Sequence, residues 1–370
     1  MRIGLLALIF VAGAAPPADP LGYTGGAGPL VLDGRVDGGP GWMAAADCGD
    51  CHGQALAEWT DSRHHRSWTN DLFQAGLIAE PQRFCVYCHA PAAVQADEVI
   101  PNLAAYAALS PRATGAVGAR LAPEPLAEEG VNCAVCHLRD GAVLAARPLA
   151  PGRAAPHPIR VAPELGGAES CRGCHEFAIP AATGGPSPFL MQSTFSEWRA
   201  LSGPGDPSCV GCHMAPGHGH RMTGAHDVEK LRGALRVRRA GGALVLEAVD
   251  IGHALPTGDL FRALTVELRR GAGVPPDSAE DDGWEVIFVA GRSFELVETG
   301  GPRPEKRPLS DTRLWPGQPR SVALPVDQPE AWWRVRYMYG APHDLARGLA
   351  PLGDWVITLA SGQVGQETRK

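Results

Sequence analysis

The chain has 370 residues, 45% of them apolar and 20% charged, the balance of a soluble globular protein long enough for two domains. Forty acidic against 33 basic residues give a net charge of −7 at pH 7. That excludes the basic excess of a nucleic-acid-binding protein and leaves cationic proteins open as partners.

Residues 1–15 carry Arg2, an apolar run from Ile3 to Ala12 and then small residues. This is the layout of a secretory signal peptide, too short to cross a bilayer. No cysteine lies near the cleavage region, so a lipid anchor is not expected, nor is a stable membrane span once the signal is removed. Residues 16–41 are rich in Gly and Pro and read as an extended, flexible leader. The expected location is the periplasm or the cell exterior.

Residues 42–230 hold five Cys-x-x-Cys-His units. In chain order these are Cys48, Cys51 and His52; Cys85, Cys88 and His89; Cys133, Cys136 and His137; Cys171, Cys174 and His175; and Cys209, Cys212 and His213. They use all ten cysteines. Two thiols at this spacing can add to the two vinyl groups of one haem, and the following histidine can bind its iron. Zinc knuckles or disulfides are the competing reading. Neither requires a histidine after every second cysteine, and here it occurs five times out of five. Five covalently attached c-type haems are therefore expected, with the ten cysteines as attachment points and the five histidines as proximal iron ligands.

The first cysteines recur at intervals of 37, 48, 38 and 38 residues, but the linkers do not match one another as repeats. The linkers are short and rich in Pro, Gly and Ala, with helices expected over 54–66, 71–79 and 189–201. Such segments carry few large apolar side chains, so the haems must supply much of the core and the haem-free chain should fold poorly.

Over 231–370 cysteine disappears and period-two alternation begins. In Leu264-Thr265-Val266-Glu267-Leu268 the apolar residues share one face, and Trp333, Val335 and Tyr337 alternate with Arg334 and Arg336. Further strands are expected at 243–249, 284–289, 321–324 and 355–359. The pattern suggests a small β-sandwich, with a meander packed on the haem region as the alternative. The expected fold class is multidomain: a haem-organised, mainly α and irregular pentahaem cytochrome c domain, then a small, mainly β, sandwich-like domain.

Each iron would have one more axial position, and its occupant separates a six-coordinate electron carrier from a site open to substrate. Eight histidines remain: His64, His65, His157, His218, His220, His226, His253 and His343. The segments Trp59-x-x-Ser62-x-His64, Gly130-Val131-Asn132-Cys133 with Asp140-Gly141, and Glu169 to Phe177 carry a family resemblance. So do Thr194 to Trp198, Cys212 to Pro216 running on to His226, and Gly252-His253-Ala254-Leu255-Pro256-Thr257-Gly258 with Arg262. Over roughly residues 45–270 the chain resembles the exported multihaem cytochromes related to cytochrome c-554 and hydroxylamine oxidoreductase, and its end resembles the β-domain that follows the haems in many such proteins.

The resemblance implies His64 as a second axial ligand, placed on a helix beside the first motif and serving that motif. His157, in an extended setting before Pro158, and His220 and His226, after the fifth motif, are further candidates. His253 would enter from a β-domain loop. His65, His218 and His343 are expected to be surface or packing residues, and Met191, Met214 and Met222 to pack.

The leading expectation is single-electron transfer between redox partner proteins, with no catalytic side chain. The alternative is an oxidoreductase acting on a small nitrogen or sulfur compound at one open haem. Two features count against it: no Cys-x-x-Cys-Lys motif, and only Tyr87 and Tyr106 in the haem region. The β-domain is expected to be a structural cap that supplies His253, rather than a docking module.

Overall fold

The computed structural model describes residues 44–79, 81–103, 126–178, 189–214, 219–271, 283–298, 300, 305–340 and 355–366. The expected signal peptide and leader, together with His218, His343 and Tyr106, lie outside these residues.

Ten short α-helices belong to the first part of the described chain. They are α1 (Ala45–Gly49), α2 (Gly53–Thr60), α3 (Asp71–Ala79), α4 (Arg83–His89), α5 (Ala93–Val99), α6 (Cys133–His137), α7 (Glu169–His175), α8 (Thr194–Leu201), α9 (Cys209–His213) and α10 (Val228–Gly233). Small pieces of sheet join them: β1 (Leu138–Arg139), β2 (Ala142–Ala145), β3 (Ile159–Val161), β4 (Glu176–Ala178) and β5 (Leu190–Ser193). Asp140 and Gly141, both at positive φ, turn β1 into β2 as a two-residue hairpin loop requires.

The helix expected over 54–66 ends at Thr60. Beyond it Thr60 Oγ1 bonds back to the Leu56 carbonyl and Ser62 Oγ accepts the His65 N–H, so polar side chains draw the backbone out of the helix. His64 therefore lies on a run of turns, not on a helix as the resemblance implied. The helix expected over 71–79 forms with those bounds, whereas 189–201 divides into β5 and α8.

Residues 130–132 pack against the His64 turn. The Val131 N–H donates to the His64 carbonyl at 3.0 Å, and Trp59 Nε1 donates to the Val131 carbonyl at 2.8 Å. Gly130 is required there: its φ is +58°, and a Cβ would fall 2.3 Å from Ser67 Oγ.

Eight strands follow: β6 (Leu235–Ala240), β7 (Ala243–Ala248), β8 (Ala263–Arg269), β9 (Trp284–Val297), β10 (Glu305–Asp311), β11 (Arg320–Ala323), β12 (Trp332–Met338) and β13 (Val356–Gln363). They form a five-stranded antiparallel sheet ordered β10-β9-β8-β12-β13 and a three-stranded one ordered β11-β7-β6. Leu244 and Leu246 of β7 face Leu264, Val266 and Leu268 of β8 and Trp333, Val335 and Tyr337 of β12 in one core. This is the two-layer arrangement expected of a sandwich. The opposite face of β8 is also closed: Glu267, 1% exposed, accepts from Arg334 at 2.7 Å and from Arg336 at 2.6 Å.

The first part of the chain has only small apolar clusters by comparison, around Leu77, Val86 and Val99, around Val135 and Leu138, and around Leu144. Leu72 of α3 packs into the sandwich core, so the two parts share a seam.

Candidate haem centres

Four of the five Cys-x-x-Cys-His units form single helical turns: α4, α6, α7 and α9 each end on the motif histidine. Positions i, i+3 and i+4 of a helix share a face, so both thiols and the imidazole project together. Asn132 starts α6 by accepting the Val135 N–H, and Ser208 starts α9 by accepting the Gly211 N–H. The first unit differs, because α1 stops at Gly49 and His52 begins α2.

None of the ten cysteines is in a disulfide. None is sealed in the core either. Among the second cysteines of the motifs, Cys51 and Cys212 are exposed, while Cys88, Cys136 and Cys174 are half-buried. The first cysteines Cys48, Cys85, Cys133, Cys171 and Cys209 are half-buried as well. Among the described residues no three His, Cys, Asp or Glu side chains converge as a zinc site needs.

Four of the five units come together in two pairs. Cys48 and Cys133, the first cysteines of the first and third motifs, share a hydrogen bond that lowers the Cys48 pKa and raises that of Cys133. Cys171 and Cys209, of the fourth and fifth motifs, share another that lowers the Cys209 pKa. In both pairs it is the first cysteine that meets its counterpart; Cys51, Cys136, Cys174 and Cys212 take no part in these bonds.

Three motif histidines face a second histidine from elsewhere in the chain. The ring centroids of His64 and His175 are 6.2 Å apart, those of His137 and His220 6.2 Å, and those of His213 and His253 6.3 Å. Two imidazoles bonded at about 2 Å to opposite sides of one metal ion place their centroids about 6 Å apart. The facing rings therefore fit an iron between them.

The free ring nitrogens fit as well. His137 Nδ1 donates to the Leu144 carbonyl at 2.9 Å, His213 Nδ1 to Thr223 at 2.6 Å, His253 Nδ1 to Ala254 at 3.0 Å and His89 Nδ1 to Ser67 at 2.7 Å. Fixing Nδ1–H on a carbonyl selects the tautomer whose Nε2 lone pair can bind a metal. Burial pushes the His64, His89 and His175 pKa values down to about 4 and lowers those of His137 and His253. Their rings are neutral at pH 7, the form that ligates.

The pairing of His64 differs from the sequence expectation, and His226 packs elsewhere. His64 meets the histidine of the fourth motif, not that of the first, and its turn is tied by its own carbonyl to the Val131 N–H just ahead of the third motif. His226 stacks flat on Tyr339 at 4.2 Å, and no ring contact joins it to a motif histidine among the described residues. His157 is half-buried, and its Nδ1 bonds the Pro158 carbonyl next door. His220 and His253 do meet motif histidines. His65 packs on Trp59 at 4.4 Å and bonds the Thr60 carbonyl. Met222 touches the His64 Nδ1 edge.

Sequence reasoning missed Glu58 and Glu197. Glu58 Oε2 accepts the His220 backbone N–H at 2.9 Å and lies 3.8 Å from His220 Nδ1. Glu197, 3% exposed, accepts the Ala254 N–H beside His253. Two tyrosines of the β-region also reach the seam. Tyr339 donates to the Ala225 carbonyl at 2.6 Å, and Tyr337 hydrogen-bonds the deeply placed Arg262.

No family model matches the chain, and no curated protein matches it. The fold is similar to that of a five-haem cytochrome c. The solved structure that carries this likeness is the penta-heme cytochrome c552 from Thermochromatium tepidum, with a TM-score of 0.56 and 18% sequence identity over 87% of this chain and 98% of that one.

Proposed function

We propose that the protein is an exported electron carrier, in which five c-type haems bound through the ten motif cysteines pass single electrons between redox partner proteins. The observation that carries this reading is the set of three facing imidazole pairs at 6.2–6.3 Å. His52, His89, His137, His175 and His213 would hold the irons from one side. His64, His220 and His253 would hold three of them from the other. One haem each would be attached through Cys48 and Cys51, Cys85 and Cys88, Cys133 and Cys136, Cys171 and Cys174, and Cys209 and Cys212.

When bound, the haems supply reversible one-electron chemistry. The chain's own residues do the rest. With haem bound, the facing histidines would hold three irons from both sides and so keep small molecules from them. Carbonyls on Nδ1 hold the rings in place and make them better donors. The contacts of Cys48 with Cys133 and of Cys171 with Cys209 bring the attachment edges of two pairs of motifs together, which favours electron passage within each pair. The five-haem neighbour supports the reading at the level of fold.

A second reading is favoured by one observation. His52 and His89 face no histidine among the described residues, while His226, Tyr339 and Arg262 meet at the seam. An oxidoreductase with one open haem would use such groups to move protons. Counting high-spin haems in the oxidised protein by resonance Raman spectroscopy, with carbon monoxide binding to the reduced form, separates the two. At least three haems are expected to be low-spin in either case; a remaining high-spin haem that turns over a small nitrogen or sulfur compound favours the enzyme, and one that does not favours the carrier.

A further inference from the structure

We propose that Glu197 is the positioning residue for the second axial ligand at the fifth motif; this rests on the reading of His253 as that ligand. His253 sits in the loop between β7 and β8, on the β-side of the seam, and must be held against a motif on the other side. Helix α8 does this. Glu197 Oε2 accepts the Ala254 N–H at 3.2 Å and the Thr257 hydroxyl at 2.7 Å. Thr194 on the same helix bonds Thr257 at 2.9 Å. Trp198, the next residue, packs on the other side of His253, where a Cβ on Gly252 would come 3.3 Å from its ring. Trp198 Nε1 also donates to the carbonyl of Pro207, two residues before Cys209. One helix thus touches both neighbours of His253 and the approach to the fifth motif, and sets the distance between them.

The carboxylate is suited to this because its two oxygens do different work. Oε1 accepts Ser193 Oγ at 2.6 Å and Arg313 Nη1 at 2.5 Å, which balances its buried charge. Arg313 also has its own carboxylate in Asp311, at 2.7 Å. Among the described residues Oε2 bonds only the His253 loop. The His213 and His253 ring planes lie within 6° of parallel.

The test uses the haem-loaded protein. Glu197→Ala, Glu197→Gln, Thr257→Val and His253→Ala are compared for high-spin haem by resonance Raman and for carbon monoxide binding after reduction. His253→Ala is expected to turn one haem high-spin. Glu197→Ala is expected to turn the same haem high-spin, so that the double variant shows one such haem rather than two, and added imidazole restores the low-spin signal. Glu197→Gln, whose one amide oxygen can still accept from Ala254 and Thr257 while its NH2 turns to Ser193 and Arg313 is left to Asp311, is expected to stay low-spin. Should Glu197→Ala fail to load haem, Thr257→Val decides, with an expected rise in the carbon-monoxide-reactive fraction of one haem. If His253→Ala opens a haem while Glu197→Ala or, in its place, Thr257→Val leaves that haem closed, Glu197 has no positioning role. If His253→Ala changes nothing, the ligand reading itself falls.

Discussion

A histidine can be recognised in a sequence as a possible ligand, but its partner is decided by how the chain closes in space. His64 illustrates this. The motif nearest to it in the chain belongs to His52, yet the ring meets His175, while its turn is bonded through the His64 carbonyl to the Val131 N–H and packed closely by Gly130. His64→Ala is expected to make the fourth-motif haem, not the first, high-spin. Its potential should rise by part of the roughly 0.8 V that axial ligands span. Spectropotentiometry reads this as one haem leaving the low-potential group; an unchanged titration would contradict the pairing. The five motif histidines were legible because covalent haem attachment would impose a fixed spacing. The carbonyls of Ser67, Leu144 and Thr223 were not, since a backbone acceptor has no side-chain identity. Glu197 and Glu58 were not either, because nothing local distinguishes a buried carboxylate from a solvated one.

Among the elements, the strands of the sandwich followed from alternation, though alternation described only one face. Thr265 and Glu267 read as the solvent side of β8 but are buried, because Arg334 and Arg336 on β12 close over them. Glu267→Ala is expected to cost about 3–5 kcal/mol, since it leaves two poorly exposed guanidinium groups without their carboxylate. A denaturant midpoint shift worth under about 1 kcal/mol would show that water compensates them. Strand β10 escaped notice because Pro308 lies inside it. The structure places it at the sheet edge, with a register shift between Pro308 and Ser310, where proline is tolerated. At its end Asp311 has a lowered pKa: burial opposes this, but the hydrogen bonds and charge of Arg313 outweigh it. A depressed folded-state pKa contributes stability above the ordinary carboxylate value of about 4 and loses it as pH falls through the folded value. Asp311→Asn should therefore lower the melting temperature at neutral pH and reduce its decline below about pH 4. A parallel decline in both proteins would remove Asp311 from the acid response.

At the scale of the molecule, the two parts differ in what holds them. The sandwich has one large core running from Leu231 to Val364, while the motif region has several small clusters joined by short helices and turns. Replacing the motif cysteines with serine should abolish protection of residues 44–213 from hydrogen exchange while leaving β7, β8 and β12 protected. Equal protection throughout would show that the motif region has a sufficient core of its own. The seam joins the two behaviours, because His253 comes from the sandwich and faces a motif of the other part. The most direct test of the facing histidine pairs is electron paramagnetic resonance of the oxidised protein. Low-spin iron between parallel imidazole planes gives a rhombic signal, and between nearly perpendicular planes a signal with one large g value. His213 and His253 are 6° apart and His64 and His175 are 74° apart. The account predicts both signals in one protein, the first lost in His253→Ala and the second in His64→Ala. Fewer than three low-spin haems, or signals untouched by either substitution, would contradict it.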